Sequence, residues 1–201
     1  MQQAAVVSSV QAVPPSGWVR RFTPLLPPGL CLDLACGGGR HTQWLLAQGR
    51  PVLALDRDPA ALHALQQLGA ETMLHDLESG PDGVNWPFGE HTFDSVIVCN
   101  YLHRPLFPHL LSSLKEGGLL IYETFSDGNA QFGRPSNPDF LLRTGELLQQ
   151  MQSNPLVQMQ IIAYENGVVE TPRVAMVQRI CARKASALTA LDSLCLRTAA
   201  L

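Results

Sequence analysis

Short apolar runs alternate with amphipathic stretches through the first two thirds of the chain. The apolar runs have the length of buried strands and lie at 30–35, 51–55, 71–77, 93–100 and 119–125. Helical spacing of apolar residues predicts helices between them over 41–48, 58–68 and 105–114. This alternation predicts a doubly wound α/β fold, with a mostly parallel sheet covered by helices on both faces.

The pattern changes in the last third of the chain. Residues 126–143 are polar and contain several prolines and glycines, and a helix is predicted near 144–153. Two apolar runs follow, at 156–164 and 168–182. We expect these two runs to pair as a hairpin that turns at Asn166-Gly167, because Asn-Gly favours a tight turn.

The two ends of the chain lack this organisation. Residues 1–17 carry no periodicity and include Pro14-Pro15, so we predict a flexible arm, with Trp18 as its anchor on the domain. The domain itself is predicted to span 18–184. The tail, 185–201, is rich in Ala and Leu, a composition compatible with a helix.

Composition indicates a globular protein with a sizeable core, since 46% of the 201 residues are hydrophobic and 15% are charged. The formal net charge of −3 provides no basic field for a nucleic-acid backbone, which disfavours a nucleic-acid partner. No run approaches the roughly 20 apolar residues of a membrane span, and the N-terminus lacks a signal-peptide pattern. A cytoplasmic protein is therefore expected. Nothing in the sequence indicates an oligomeric state.

Cysteine usage agrees with that compartment. The five cysteines form no CxxC pair, and we expect reduced core thiols at Cys31, Cys36, Cys99, Cys181 and Cys195. The His, Cys, Asp and Glu residues show no spacing typical of metal ligands, so a metal-independent protein is expected.

The strongest chemical signal is the turn Cys36-Gly37-Gly38-Gly39-Arg40 after the first strand. Glycines there let backbone N–H groups approach a ligand closely. The alternative is a tight turn without a ligand. A dinucleotide fingerprint would need a third glycine where Thr42 stands, and no nucleoside-triphosphate loop is present.

Acidic residues at the strand ends refine the choice of ligand. Asp33, in the arrangement Asp33-x-Ala35-x-Gly37-x-Gly39, would repel a pyrophosphate but suits a cationic amino-acid group. Asp56 ends the second strand, where a carboxylate can accept both ribose hydroxyls. Asp76 can accept the adenine amino group while Leu77 supplies a backbone donor, although simple capping is the alternative for both aspartates.

Five segments in this order resemble the class I methyltransferases: LDLACGGGRHT, ALDRD, LHDL, FDSVIVCNYLH and KEGGLLIYETF. The resemblance covers about residues 29–182, and within the class the chain looks most like the small bacterial tellurite-resistance-type and related small-molecule methyltransferases. It implies a Rossmann-like, seven-stranded sheet whose last strand is antiparallel. It also implies S-adenosylmethionine (SAM) as cofactor, with Asp33, Gly37 and Gly39 around its methionine part, Asp56 on the ribose and Asp76 on the adenine. The candidate cofactor-binding set is completed by Ala35, Arg40, Arg57, Leu77 and Asn100.

An acceptor should bind above the carboxyl ends of the strands. This selects Asn100, Tyr101 and His103 after the fourth strand and Glu123 and Thr124 in the fifth. Tyr101 and His103 are the catalytic candidates, since a His is suited to act as a general base near neutral pH. A surface or capping His is the alternative. Asn100-Tyr101-Leu102-His103 departs from the Asn/Asp-Pro-Pro-Tyr sequence of many amino-group methyltransferases.

The polar segment carries further acceptor-side candidates, Phe132, Arg134 and Arg143. A loop of this length in a compact domain is typical of a lid or of a plain connector. Aromatic and arginine side chains favour a lid over an acceptor that is anionic.

The sequence therefore predicts SAM-dependent methyl transfer to a small-molecule acceptor. Two alternatives stay open: an RNA or protein methyltransferase, and a SAM-binding module without catalysis.

Overall fold

The computed structural model describes residues 13–153 and 157–185. Seven strands form one sheet in the order β3-β2-β1-β4-β5-β7-β6. The strands are β1 Cys31–Leu34, β2 Val52–Asp56, β3 Glu71–Leu74, β4 Phe93–Cys99, β5 Leu114–Phe125, β6 Met159–Val169 and β7 Ala175–Lys184. The α-helices are α1 Gly17–Phe22, α2 Arg40–Leu46, α3 Pro59–Gln67, α4 Phe107–Ser113 and α5 Glu146–Gln152.

Strands β1 to β5 pair in parallel, and β7 runs antiparallel to both of its neighbours. The predicted Rossmann-like α/β fold is therefore confirmed, including an antiparallel last strand. The strand order reverses beside β1, and such a switch point opens a crevice at the carboxyl ends of the strands. Because Leu34 pairs with both Leu55 and Val98, the residues that follow these three meet at that crevice.

Alternation along the strands divides the core into two layers. Leu32 and Leu34 of β1 face α4 and α5, together with Leu120 and Tyr122 of β5. Their sequence neighbours face α1 and α2 on the other side, where Trp18 is packed. Period-two alternation in fully buried strands places each side chain in one layer or the other. Asp33 consequently points into the layer beneath α2.

The hairpin of β6 and β7 is present, but its predicted turn at Asn166-Gly167 is wrong. Both residues lie within β6, where they pair with Gln178 and Val177. The chain turns over residues 170–174, which include Thr171-Pro172. The local Asn-Gly signal is overridden because pairing continues through Val168 and Val169.

Residues 1–12 of the predicted arm, 1–17, lie outside the described residues. The tail from residue 186, which includes Cys195, also lies outside them. Ser16 is only 6% exposed and caps α1 by accepting a hydrogen bond from the Trp18 amide. Trp18 is fully buried and donates to the Ile180 carbonyl. The chain is thus attached to the domain two residues earlier than the arm's predicted boundary.

The glycine that begins α2 has a packing role that can be tested. Gly39 has a φ of +68°, and a Cβ there would lie 2.2 Å from the Leu65 side chain of α3. Gly49 has a similar φ of +70° with no atom within 4 Å of that position. Gly39→Ala should therefore lower the free energy of unfolding by about 1–3 kcal/mol more than Gly49→Ala. Urea unfolding of both variants measures the difference, and equal losses would contradict the packing role.

Candidate functional site

Three cavities meet at the carboxyl edge of the sheet, and Asn100 lines all three. The β2–β3 cavity, of about 480 Å³, is lined by Asp56, Asp76 and Tyr101 among others. The glycine-turn cavity, of about 820 Å³, lies over Asp33 and Gly37. The arginine cavity, of about 630 Å³, is defined by Arg20, Arg21, Arg40, Arg173 and Arg179.

Left-handed backbone shapes the turn between β1 and α2. Ala35, Gly37 and Gly39 all have positive φ, between 52° and 68°. The Gly37 amide donates to Asp56 Oδ2 at 2.7 Å, which ties the turn to the end of β2. No atom lies within 4 Å of the position that a Cβ of Gly37 or Gly38 would occupy. The turn therefore leaves open space outside Gly37 and Gly38, whereas the space beside Gly39 is occupied by the Leu65 side chain.

Asp33 is a buried carboxylate, 1% exposed, at the floor of the glycine-turn cavity. Its Oδ2 accepts hydrogen bonds from the Thr42 amide at 2.9 Å and the Thr42 hydroxyl at 2.6 Å. Within the described residues no donor reaches Oδ1. Burial raises the pKa of Asp33 to about 6, although the Thr42 hydrogen bonds and Arg40 lower it. A cation in the cavity would stabilise the charged form.

The β2–β3 cavity collects the next predicted residues. Asp56 accepts from the Gly37 and Asp58 amides, and an ionised carboxylate has capacity for further donors. Arg57 and Asp76 are exposed at its rim. Leu77 is buried, and within the described residues no acceptor meets its amide. These groups form a cavity that is rich in acceptors and to which the Leu77 amide offers a backbone donor.

The two catalytic candidates after β4 separate in the structure. Tyr101 lines the β2–β3 cavity and donates to Glu78 at 3.1 Å, and burial raises its pKa. His103 lines none of the three cavities. Its Nε2 contacts the Gly83 carbonyl oxygen at 2.6 Å, which requires a proton on that nitrogen. The general-base hypothesis for His103 therefore has no geometric support.

Glu123 joins the N-terminal segment to the sheet. Its Oε1 accepts from the Ser16 hydroxyl at 2.7 Å, and its Oε2 lies 3.3 Å from Arg179. The Ser16 amide donates to Nε2 of His41 at 3.3 Å. Burial lowers the pKa of His41 to about 3, with a smaller contribution from Arg40, so the ring is neutral. Glu123 lines the arginine cavity, and Thr124 lies buried beside the β2–β3 cavity.

The segment 126–143 is packed against the domain. Asn129 is buried and bonded to Pro135 and Met176, while Arg104 donates to the carbonyls of Asp139 and Leu141. These contacts fix both halves of the segment.

The three acceptor candidates in that segment lie outside the cavities. Phe132, Arg134 and Arg143 line none of the three cavities. Pro135 and Phe140 line the β2–β3 cavity instead.

Sequence reasoning missed several residues that the fold brings to the site. Pro14 and Pro15 line both the arginine and the glycine-turn cavities, and Arg179 comes from β7. The Pro14-Pro15 pair shortly before Trp18 was the sequence signal for an ordered segment that lines these cavities. The place of Arg179 depends on its pairing opposite Glu123, which no local pattern indicates.

Residues 31–118 match the family model described as a methyltransferase domain. An uncharacterized methyltransferase from Synechocystis is 33% identical over 111 residues, which are 53% of this chain and 48% of that protein. The chain thus spans about half the length of the curated relative that it matches.

Solved structures share the fold. TehB from Haemophilus influenzae has a TM-score of 0.68 at 18% identity, over 85% of this chain and 62% of that one. The 1,6-didemethyltoxoflavin-N1-methyltransferase from Burkholderia thailandensis, with bound 1,6-didemethyltoxoflavin and S-adenosylhomocysteine, has a TM-score of 0.60 at 18% identity. That match covers 84% of this chain and 76% of the other.

Residues 31–118 are therefore similar to a methyltransferase domain, and the chain shares the Rossmann-like fold of these solved structures. The resemblance predicted from the sequence motifs is confirmed. In the described part of the chain, no helix is long and apolar enough to span a membrane. Residues 13–153 and 157–185 also contain no cluster of three His, Cys, Asp or Glu side chains able to hold a metal ion.

The raised pKa of Asp33 predicts a pH-dependent stability. The protonated carboxyl is favoured in the folded state, so its stabilisation is complete below about pH 4 and is lost as the pH rises through about 6. Relative to Asp33→Asn, the natural protein should lose about 2–3 kcal/mol of unfolding free energy across that window. Urea unfolding of both proteins at a series of pH values isolates this effect, and a constant difference would show that the pKa is not raised.

Proposed function

We propose that this protein transfers the methyl group of SAM to a small-molecule acceptor. The observation that carries the proposal is the buried Asp33 carboxylate, whose Oδ1 has no donor among the described residues, beside an open glycine turn. A buried charge without an ion-pair partner is costly, and a cationic ligand reduces that cost. The methionine part of SAM carries both an ammonium and a sulfonium group.

The residues present fit this cofactor. The space outside Gly37 and Gly38, which a Cβ would narrow, accommodates the methionine part above Asp33. Asp56, which lines the β2–β3 cavity and accepts from the Gly37 amide, would accept the ribose hydroxyls. Asp76 would accept the adenine amino group, and the free Leu77 amide would donate to the ring. Ala35, Arg40, Arg57 and Asn100 complete the lining. Gly39 lines none of the three cavities, and it lets α2 pack on α3.

When bound, SAM supplies a methyl carbon on positively charged sulfur, and sulfur leaves with the carbon–sulfur electron pair as an acceptor lone pair attacks. The protein's task is to orient the acceptor and exclude water. Asn100 lies where all three cavities meet, and its left-handed backbone, with φ of 57°, holds it there. Tyr101 would contact the ligand through the β2–β3 cavity.

Cavity dimensions and charge support a small acceptor. The arginine cavity, of about 630 Å³, is within the usual range for small-molecule sites. The formal net charge of −3 gives no field for a polyanionic nucleic acid. A cytoplasmic location stays a prediction from the sequence.

Titration calorimetry tests the cofactor. We expect SAM and S-adenosylhomocysteine to bind and NAD to bind far more weakly. Asp56→Ala should weaken S-adenosylhomocysteine binding at least tenfold, roughly the value of a single hydrogen bond to a charged group. Asp58→Ala is the matched control, because Asp58 is the neighbouring carboxylate, caps α3 and lines none of the three cavities.

Tighter binding of NAD than of SAM would overturn the cofactor assignment. Transfer of tritiated methyl groups onto fractionated metabolites and onto RNA then identifies the acceptor class. Label in RNA alone would favour the nucleic-acid alternative, and binding without any transfer would favour a non-catalytic module.

A further inference from the structure

The arginine cavity has an excess of positive charge on a protein that is acidic overall. Its lining includes five guanidinium groups but only two carboxylates, those of Glu123 and Glu170. The formal net charge of the whole chain is −3. Five of the chain's 14 cations thus lie at one place, next to the proposed cofactor site.

Only some of these arginines are neutralised within the described residues. Arg179 pairs with Glu123 and Glu165, and Arg21 pairs with Glu165 at 2.9 Å. Arg20, Arg40 and Arg173 form no ion pair with any described carboxylate.

Two of the three unpaired arginines have other contacts. Arg20 lies over the Trp44 ring at 5.3 Å. Arg173 lies over the Phe125 ring at 5.1 Å, and its Nη2 donates to the Arg134 carbonyl at 3.0 Å. The guanidinium group of Arg40 forms no hydrogen bond with another described residue. Stacking on a ring leaves the remaining N–H groups of these guanidinium groups available to an anion.

Arg40 also connects the cavities. It lines both the arginine cavity and the glycine-turn cavity, and so does Asn100. Arg40 is half-buried at the start of α2, directly after the glycine turn. A ligand held by Arg40 from the arginine cavity therefore lies against the proposed methionine site.

We propose that the acceptor is a small anion whose carboxylate or phosphate group is bound by Arg40 and Arg173 in the arginine cavity. Planar guanidinium groups bind either anion through paired N–H donors. The charged group would orient the rest of the acceptor toward Asn100. This inference rests on the proposed function for the place of the cofactor, but anion binding can be measured without turnover.

The test uses three matched probes: benzoate, phenyl phosphate and the neutral benzamide. Each is titrated into ¹⁵N-labelled protein, with and without S-adenosylhomocysteine, while the tryptophan indole signals are followed by NMR. Trp18 lines the arginine cavity, whereas Trp86 packs against Phe88 and His109 elsewhere and serves as an internal control. We expect saturable shifts of the Trp18 signal with an anion and none with benzamide.

Variants assign the effect to the cavity. Arg40→Gln should weaken anion binding about tenfold, and Arg173→Gln, at an exposed turn position, should act in the same direction. Lys115→Gln is the control, because it removes a cation that pairs with Asp94 near the amino ends of the strands. Its affinity for the anions should be unchanged.

Each outcome decides the inference. Shifts with benzoate alone indicate a carboxylate acceptor, and shifts with phenyl phosphate alone indicate a phosphate acceptor. Equal binding of benzamide, or an equal loss in Lys115→Gln, would overturn the proposal. Failure of S-adenosylhomocysteine to bind the natural protein would count against the proposed function, whereas cofactor binding without anion binding would refute only the anionic acceptor.

Discussion

The hydrogen bonds from Thr42 to Asp33 are the interaction on which the rest of the site depends. They join the buried β1 to α2 across the glycine turn, and they use one carboxylate oxygen for both the amide and the hydroxyl. The intervening chain must reverse within a few residues, which forces left-handed backbone at Ala35, Gly37 and Gly39. The second carboxylate oxygen is left toward the glycine-turn cavity. The hydrogen bonds between Thr42 and Asp33 thus set the shape of the turn and hold the Asp33 carboxylate beneath it.

Charge is segregated around the point where the cavities meet. Asp56 and Asp76 line the β2–β3 cavity, and Asp33 lies beneath the glycine turn. Four of the five arginines of the arginine cavity lie on α1, on β7 or in the turn before β7, whereas Arg40 begins α2. A cationic cofactor and an anionic acceptor would each be attracted to its own side. Opposite charges on the two ligands would then also favour their mutual approach, in a site where burial weakens screening by water.

Much of the fold could be predicted because its signals are local. Short apolar runs and helical spacing identified β1 to β5 and the helices between them, and the glycine turn followed from residue type alone. The turn of the last hairpin was misplaced, because Asn166-Gly167 is a local turn signal that long-range pairing in β6 overrides. Phe132, Arg134 and Arg143 line none of the three cavities, and the contacts that hold segment 126–143 come from Arg104 and Met176, which are distant from their partners in sequence.

By itself the sequence determined the sheet, the order of its motifs and the acidic residues at the ends of β1 and β2. Those residues follow directly from strands whose ends the apolar pattern marks. Only the tertiary structure decided that Gly39 lets α2 pack on α3 and that Nε2 of His103 is hydrogen-bonded to the Gly83 carbonyl. It also decided that Pro14, Ser16 and Arg179 line the arginine cavity. These properties depend on contacts between residues far apart in the chain, which spacing along a single sequence does not encode.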